Sequence, residues 1–462
     1  MNKTIKARET EKQELLRKGL TDKKVINELI TFKHNAPVLY NKRLPTEMYD
    51  KVNLMCRKYM DRMARFEMDY DFIVDAEMFR NVAVCCLESV PVLRSQVVNH
   101  PVSPYWRQAE YTVDDFVFVK EVEDIEKARS EFFAHEIPLT SNVQMNIALF
   151  YNNNKTYICF IWNHMCMDGG GFKMFWSDFC RNYTQYDLDG ISPLSFSTGS
   201  RKYTDVYKDM ERDKAKKSRL QFANISPRSV HGFPFRNNKK EDSVIIVSRK
   251  IPSESFIPAR EFAKSSGATV TDLLLASYID SLAKISDISP ESPISVACAI
   301  DLRRHIKDLS TVGYTNHVSF IHCALSQRGN GLKDTLEKVS EKTRQLKKDE
   351  FIGLHGLPLL NIAYKTMVYL QAETVVKLFY NNPSLSVSNV GVIVPESFSL
   401  SGNMPFDAFV AGAAKNKPCA VMTALTINDT LSVSMCLRGN ENDKKLLERF
   451  FDEYVKNINS CR

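Results

Sequence analysis

The residues of this chain that could carry chemistry stand together in one short segment, residues 162–171. The segment reads Trp-Asn-His-Met-Cys-Met-Asp-Gly-Gly-Gly and contains His164, Asp168 and three consecutive glycines. A neutral imidazole has a pKa near physiological pH, so His164 is suited to remove a proton from an attacking hydroxyl or amine. The segment therefore indicates a general-base site.

This segment lies between a predicted strand and a predicted helix. The apolar run 157–162 indicates a buried strand, and residues 143–150 alternate as a strand should. Asparagines in the turn 151–155 predict a hairpin between the two strands. Helical spacing of four aromatic residues predicts a helix with one face in the core: Phe172, Phe175, Trp176 and Phe179. His164 and Asp168 are therefore expected on a tight strand-to-helix turn, where polar residues rarely serve packing.

Other reactive side chains give weaker signals. Cys166 could be a nucleophile activated by His164, but a separation of two residues on a turn is poor geometry for that pair. An odd separation on one predicted strand puts His317 and His322 on opposite faces, which favours structural roles over metal ligation. His305, beside Arg304, is a candidate to line a cleft. We predict no metal site.

Composition indicates an ordinary globular protein. With 462 residues, 44% apolar and 25% charged, the chain should form two or three domains or one two-lobed unit. No apolar run approaches the ~20 residues that cross a bilayer, and the N-terminus has no apolar signal region. The eleven cysteines are scattered without metal-ligand spacing. Reduced thiols and a cytoplasmic location are the prediction.

The net charge of +7 is mild for this length and argues against nucleic-acid binding. It would suit an acidic partner, such as a phosphorylated cofactor or an acidic carrier protein. Solvation alone accounts for the same charge equally well.

The order of predicted elements divides the chain. Residues 1–35 are charged and helix-prone and read as an N-terminal helical extension. Strands and helices fill residues 36–190, and residues 191–240 are rich in Ser, Pro, Asn, Lys and Arg, which predicts a linker. Residues 241–462 again alternate strands and helices. The predicted architecture is α/β, with two lobes of similar order facing each other across a cleft.

Several landmarks occur in a characteristic order along the chain. They are Pro-Val-Leu-Arg at 91–94, Ile-Pro-Leu at 137–139, Asn-His-Met-Cys-Met-Asp-Gly at 163–169, Ala-Thr-Val-Thr-Asp at 268–272 with Thr269 or Thr271 as the candidate N-cap of a helix, Asp-Leu-Arg at 301–303 and Val-Ser-Asn-Val-Gly at 387–391. Together they resemble the chloramphenicol acetyltransferase-like superfamily over roughly residues 45–460. That superfamily includes peptide-synthetase condensation domains, alcohol acetyltransferases and polyketide-associated acyltransferases of natural-product biosynthesis.

The resemblance implies a fold and a reaction. The two α/β lobes would form a pseudo-dimer with the active site in the cleft between them, in a monomeric enzyme. An acyl group would pass from acyl-CoA or a phosphopantetheine-bound carrier thioester to a hydroxyl or amine of a small-molecule acceptor. No tightly bound cofactor would be needed, because the thioester is already activated.

The resemblance also implies roles for individual residues. His164 would be the general base, and Asp168 would pair with Arg303 of the second lobe as a structural strut. Gly169, with Gly170, would allow a tight turn beside the substrate channel. Oxyanion or channel positions would be Ser388 and Asn389, with Asn163 beside them.

One departure from the family pattern leaves alternatives open. Asn163 stands where the family's first histidine is found, while His164 matches the second, catalytic histidine. This favours a stand-alone acyltransferase. The alternatives are a discrete condensation enzyme of non-ribosomal peptide or polyketide biosynthesis that uses carrier-bound substrates, and a non-catalytic binding member of the fold.

Overall fold

The computed structural model describes residues 2–35, 43–189, 196–197, 199–220, 231–379 and 383–461. Its helices are α1 Asn2–Arg17, α2 Lys23–Asn35, α3 Met48–Met55, α4 Ala76–Ser89, α5 Ile125–Phe133, α6 Gly169–Asp189, α7 Arg212–Leu220, α8 Ser253–Ser265, α9 Val270–Ser286, α10 Gly331–Lys347, α11 Leu357–Thr366, α12 Tyr369–Phe379 and α13 Glu441–Asn459. Its strands are β1 Arg43–Pro45, β2 Met63–Tyr70, β3 Ser95–Val98, β4 Tyr105–Gln108, β5 Val117–Glu121, β6 Met145–Asn152, β7 Lys155–Asn163, β8 Val244–Ile251, β9 Ile294–Asp301, β10 Val318–Leu325, β11 Leu385–Ile393, β12 Pro405–Ala411, β13 Lys415–Asn416, β14 Ala420–Ile427 and β15 Thr430–Arg438.

Two α/β lobes form the molecule, which confirms the predicted fold class. The first lobe is built on a five-stranded sheet in the order β12-β2-β7-β6-β5. The second is built on a seven-stranded sheet in the order β10-β9-β11-β14-β15-β13, with β8 also paired to β15. A small third sheet, β1-β4-β3, flanks the first lobe.

The predicted hairpin leads directly into the site. Strands β6 and β7 pair antiparallel, and the turn residues Asn153 and Asn154 have φ of 51° and 61°. Asparagine tolerates this left-handed conformation well, which suits the twist of a two-residue hairpin loop. The aromatic face of α6 is core packing, as predicted: the rings of Trp162 and Phe172 stack with centroids 4.2 Å apart. This packing fixes the strand and helix on either side of His164.

One strand crosses between the lobes. The boundary at residue 241 assigns everything after it to the second lobe, yet β12 is an edge strand of the first lobe's sheet, paired antiparallel with β2. Ala408 and Val410 are buried in the core of the first lobe. Strand pairing at this sequence distance leaves no local signal, so the pattern of residues 405–411 predicts a strand without predicting its sheet.

The predicted linker is only partly a linker. Residues 191–195, 198 and 221–230 of it lie outside the described residues. Tyr203, Val206 and Tyr207 are buried against residues of both lobes, whereas most of α7 is exposed. The charged composition of this region predicts an exposed linker, but these three apolar residues pack on the core. The whole of residues 191–240 is therefore not an exposed linker.

The starts of two helices depend on different contacts. Thr269, one of the two N-cap candidates, caps α9, where its side chain accepts from the amide of Asp272 in a capping box. The apolar stretch 358–379 forms two helices, α11 and α12. The amides of Tyr369 and Leu370 at the start of α12 donate to the carbonyls of Val102 and Pro101 in the first lobe. These tertiary hydrogen bonds satisfy the amides of a new helix start.

Candidate active site

His164 follows the last residue of β7 and lies on the turn that leads to α6. Its backbone amide donates to the carbonyl of Arg62 at 2.6 Å, which continues the β2–β7 pairing by one residue. The residue is partly exposed, and its Nδ1 is buried without a hydrogen-bond partner among the described residues. Burial lowers the pKa of His164, and the charge of Asp168 offsets that effect only in part. The imidazole is therefore neutral at physiological pH, as a general base must be.

Asp168 and Arg303 form an ion pair between the two lobes. Arg303 Nη2 donates to Asp168 Oδ1 at 2.9 Å, and Nη1 donates to Oδ2 at 3.2 Å. Asp168 also accepts from the backbone amides of Gly171 and His317, both at 2.7 Å. Burial by itself would raise the pKa of Asp168, but Arg303 and these amides hold it below its usual value. Every contact of this carboxylate is structural, and none is to the imidazole of His164.

Three glycines follow Asp168, and they face different neighbours. A Cβ on Gly170 would lie 2.7 Å from Arg303 Nη1, and one on Gly171 would lie 2.7 Å from the Thr315 carbonyl oxygen. A Cβ on Gly169 would meet Val390 at 3.5 Å, an ordinary contact. None of the three has a positive φ. Gly170 and Gly171 thus permit close packing against the second lobe, and no left-handed backbone conformation requires a glycine at any of the three positions.

Two residues that the sequence did not single out hold the carbonyls of the turn. Asn316 Nδ2 donates to the carbonyl oxygens of His164 and Met165 at 2.8 and 3.2 Å. Arg201 Nη2 donates to the carbonyls of Met165 and Cys166, both at 3.2 Å, and pairs with Asp50. Asn316 comes from the second lobe and Arg201 from the predicted linker. Neither stands in a recognisable motif, so only their position in the fold reveals them.

Asn163 is a support residue and does not line the cleft. Its side chain is fully buried, donates to Gln144 Oε1 at 2.8 Å and accepts from the amide of Met165 at 3.1 Å. Both ends of the amide are therefore engaged beneath the turn. An asparagine can supply this acceptor and donor together.

Strand β11 lies against the start of α6. Lys173 Nζ donates to the carbonyl of Val390 at 2.8 Å. Asn389 donates to Thr271 Oγ1 and accepts from the amide of Gly391 at a bulge, so its amide is already engaged. Ser388 is partly exposed and has no hydrogen-bond partner among the described residues. Of these two oxyanion candidates, Ser388 has the freer donor.

Cys166 is packed away from the cleft. It is fully buried, its Sγ lies 3.8 Å from the Val92 carbonyl oxygen, and burial raises the pKa of its thiol. A thiol that resists ionisation makes a poor nucleophile. The disfavoured Cys166–His164 pair finds no support in this geometry.

The remaining histidines lie apart from one another. The ring of His305 contacts the carbonyl of Ile352 at 3.0 Å. His322 lies within β10, but His317 precedes that strand, so the prediction of one strand carrying both was wrong. The amide of His317 donates to Asp168, and its carbonyl accepts from the amide of Leu302, which continues the β9–β10 pairing by one residue. Among the described residues, no cluster of three or more His, Cys, Asp or Glu side chains could hold a metal ion.

The electrostatic environment of His164 also includes a lysine. The charge of Lys415, on the short strand β13, acts with burial to lower the pKa of His164.

Two surface cavities, of about 320 and 340 Å³, are not lined by His164. The residues that line the first include Thr21 and Asn81, and those that line the second include Arg236 and Arg449. No helix in the described ranges is both long enough and apolar enough to span a membrane.

Comparison with known proteins shows the fold. The sequence matches no protein-family model and no curated protein sequence. Among solved structures, the first condensation domain of the calcium-dependent antibiotic synthetase, in complex with a substrate analogue, is 14% identical with a TM-score of 0.66, over 91% of this chain and 97% of that chain. Trichothecene 15-O-acetyltransferase from Fusarium sporotrichioides is 13% identical with a TM-score of 0.64, over 90% and 95%.

A third structure extends the comparison. Polyketide synthase associated protein 5 from Mycobacterium tuberculosis is 12% identical with a TM-score of 0.61, over 90% of this chain and 98% of that chain. Each of the three matches covers nearly the full length of both this chain and the matched chain. The chain therefore has the two-lobed fold of condensation domains and chloramphenicol acetyltransferase-like acyltransferases.

Proposed function

We propose that this protein is an acyltransferase that moves an acyl group from a thioester to a hydroxyl or amine, with His164 as general base. The observation that carries the proposal is the setting of His164. His164 is partly exposed on a turn that the buried Asp168–Arg303 pair ties to the second lobe. A neutral, accessible imidazole on a fixed turn is what proton removal requires.

The reaction needs no covalent enzyme intermediate. The acceptor oxygen or nitrogen attacks the thioester carbonyl, and its proton passes to Nε2 of His164 as the new bond forms. The tetrahedral intermediate then expels the thiolate, which takes the proton back from the imidazolium. General-base help of this kind contributes about 10²–10⁴-fold.

Other residues of the site hold His164 in place or meet the developing charge. Asp168 is fully engaged with Arg303 and two backbone amides, so it positions the turn and takes no proton. The hydroxyl of Ser388 is our candidate donor to the oxyanion. Asn389 has its amide engaged at the β-bulge and is the weaker candidate.

The donor is tested by supplying acyl-CoA and carrier-loaded acyl thioesters with a panel of alcohols and amines, and by following thiol release. Product from free acyl-CoA supports a stand-alone acyltransferase. Product only from carrier-loaded thioesters supports a discrete condensation enzyme. Absence of turnover with every donor would favour a non-catalytic binding protein.

The base is tested by His164→Ala, for which we expect a loss of about 10²–10⁴-fold in kcat. His322→Ala is the matched control, because His322 lies within β10 of the second lobe's sheet. A rate near that of the wild type in His164→Ala would contradict the assignment.

A further inference from the structure

Lys415 is placed next to His164 by a chain of backbone contacts. Met60 bridges Lys415 in antiparallel fashion, and the amide of Asp61 donates to the Ala414 carbonyl at 3.0 Å. On the other side of the same segment, Arg62 accepts from the amide of His164. Lys415 and His164 thus lie on opposite sides of the segment that enters β2, two strand spacings of about 4.8 Å across it and two residues, about 7 Å, along it.

The side chain of Lys415 can span that distance. A lysine carries its ammonium group on a flexible four-carbon stem. Met60 and Arg62, which lie beside Lys415 and His164 respectively, are two residues apart on the segment that leads into β2. The charge of Lys415 accordingly acts on the imidazole of His164 and lowers its pKa after the larger effect of burial.

The ammonium group of Lys415 has a poor partner. Its Nζ contacts Met60 Sδ at 2.8 Å, and a thioether is a weak acceptor for one of three donors. The nearby carboxylate of Asp61 is already bound by Arg65 at 2.7 Å and by two backbone amides. In the described part of the chain, no carboxylate forms an ion pair with Lys415. Cys56 and Cys419 also lie near the lysine.

A half-buried cation without an anionic partner is unfavourable for folding. Removing an ammonium group from water costs free energy unless an anion or several good acceptors replace the water. Burial accordingly lowers the pKa of Lys415. A substrate anion would supply the missing partner, since charge-assisted hydrogen bonds are stronger than neutral ones.

We propose that Lys415 forms a carboxylate-binding site beside His164, so that one of the two substrates carries a carboxylate close to the atoms that react. The assignment of this carboxylate to a substrate rests on the proposed function, whereas the binding test below does not depend on that function. The phosphates of a CoA or carrier thioester are separated from the sulfur by the whole pantetheine arm, so they do not reach a site beside the base. The carboxylate belongs to the acceptor or to the acyl group.

The activity test compares matched substrates that differ in one charge. Hydroxy or amino acids are compared with their amides as acceptors, and dicarboxylic monoacyl thioesters are compared with neutral acyl thioesters as donors. We expect the wild type to prefer the carboxylate form in one of the two series. Lys415→Met should lower kcat/KM for that form by about tenfold to a hundredfold more than for the neutral form, which responds only to the change in the pKa of His164.

Two further variants control this experiment. Lys415→Arg keeps the charge and should retain most of the preference, and Lys214→Met removes an exposed lysine that pairs with Glu350. Equal effects of Lys415→Met on the charged and neutral substrates, or no preference in the wild type in either series, would overturn the inference.

The binding test needs no turnover. NMR of the His164 ring is followed across pH in the wild type with and without acetate, and again in Lys415→Met. Acetate should raise the pKa of His164 in the wild type by neutralising the field of Lys415, and should have no such effect in the variant. If Lys415→Met fails to fold, the wild-type titration decides alone.

The outcomes separate the two proposals. An acetate-dependent pKa of His164 in a protein that transfers no acyl group would support the anion site and refute the acyltransferase. Acyl transfer that depends on His164, together with a His164 pKa that does not change with acetate, would support the acyltransferase and refute the anion site.

Discussion

Arg303 binds both carboxylate oxygens of Asp168, although 135 residues separate the two in sequence and each belongs to a different lobe. The same guanidinium donates from Nη2 to the Thr315 carbonyl at 2.8 Å and from Nη1 to Asp301 at 3.2 Å. It therefore joins the start of α6 to two segments of the second lobe, and the position of His164 depends on that junction.

Breaking this pair should cost stability as well as activity. For Asp168→Asn we expect a loss of about 3–5 kcal/mol in the free energy of unfolding, because Arg303 would remain buried without its counter-charge. Urea denaturation measures the change. The control is Arg249→Ala, which removes an exposed pair with Asp452 and should cost about 0–1 kcal/mol. Similar losses of unfolding free energy in the two variants would mean that the interlobe pair stabilises the protein no more than an exposed pair does.

The three glycines should differ in their tolerance of alanine. Gly171→Ala puts a methyl group 2.7 Å from a backbone carbonyl, which cannot move as a flexible side chain can, and should destabilise by about 1–3 kcal/mol and reduce activity. Gly169→Ala meets Val390 at 3.5 Å and should leave stability unchanged or slightly raised. Thermal unfolding and kcat of the two variants provide the comparison. If Gly169→Ala failed to fold while Gly171→Ala folded normally, that result would contradict the contacts described for these two glycines.

The pH dependence of turnover should report the pKa of His164. A general base must be unprotonated, so log kcat/KM should rise with pH up to that pKa and level off above it. Burial and the charge of Lys415 lower the pKa, whereas Asp168 raises it, and the net direction is down. The midpoint should therefore lie below the ordinary 6.5 of histidine. A midpoint at or above that value would disagree with the burial of the ring.

His317 should make the protein sensitive to acid. Burial and the charge of Arg303 lower its pKa from 6.5 to about 4. Between these two values the unfolded chain binds a proton at this site that the folded chain does not, so stability falls as the pH falls. Integrated over that window, the loss amounts to about 3 kcal/mol.

His317→Gln should remove this contribution, because glutamine does not titrate. The measurement is the difference in unfolding free energy between pH 7 and pH 4 for the variant and the wild type. Equal acid sensitivity in both proteins would show that other groups are responsible.

The local pattern of the chain was enough to place the turn. An apolar run, two asparagines and an aromatic helix face predicted β6, β7 and α6, and the structure has all three. These elements depend on residues a few positions apart, so their signal is carried by hydrophobic periodicity and turn chemistry. The resemblance added the Asp168–Arg303 pair, which the structure contains.

Contacts between distant segments were beyond the reach of that pattern. Arg201 and Asn316 hold the carbonyls of the turn, and β12 completes the sheet of the first lobe, yet nothing in their neighbouring residues distinguishes them. Lys415 is one of many lysines until the fold brings it across β2 from His164.

Sequence alone thus determined the two α/β lobes, the strand-to-helix turn and the identity of the imidazole, because each follows from nearby residues or from a motif. The tertiary structure decided what surrounds the imidazole: a carboxylate committed to Arg303, an asparagine turned into the core and a lysine that forms no ion pair with any residue that the structure describes. Burial and charge arise where separate segments meet, and they set the protonation state of His164.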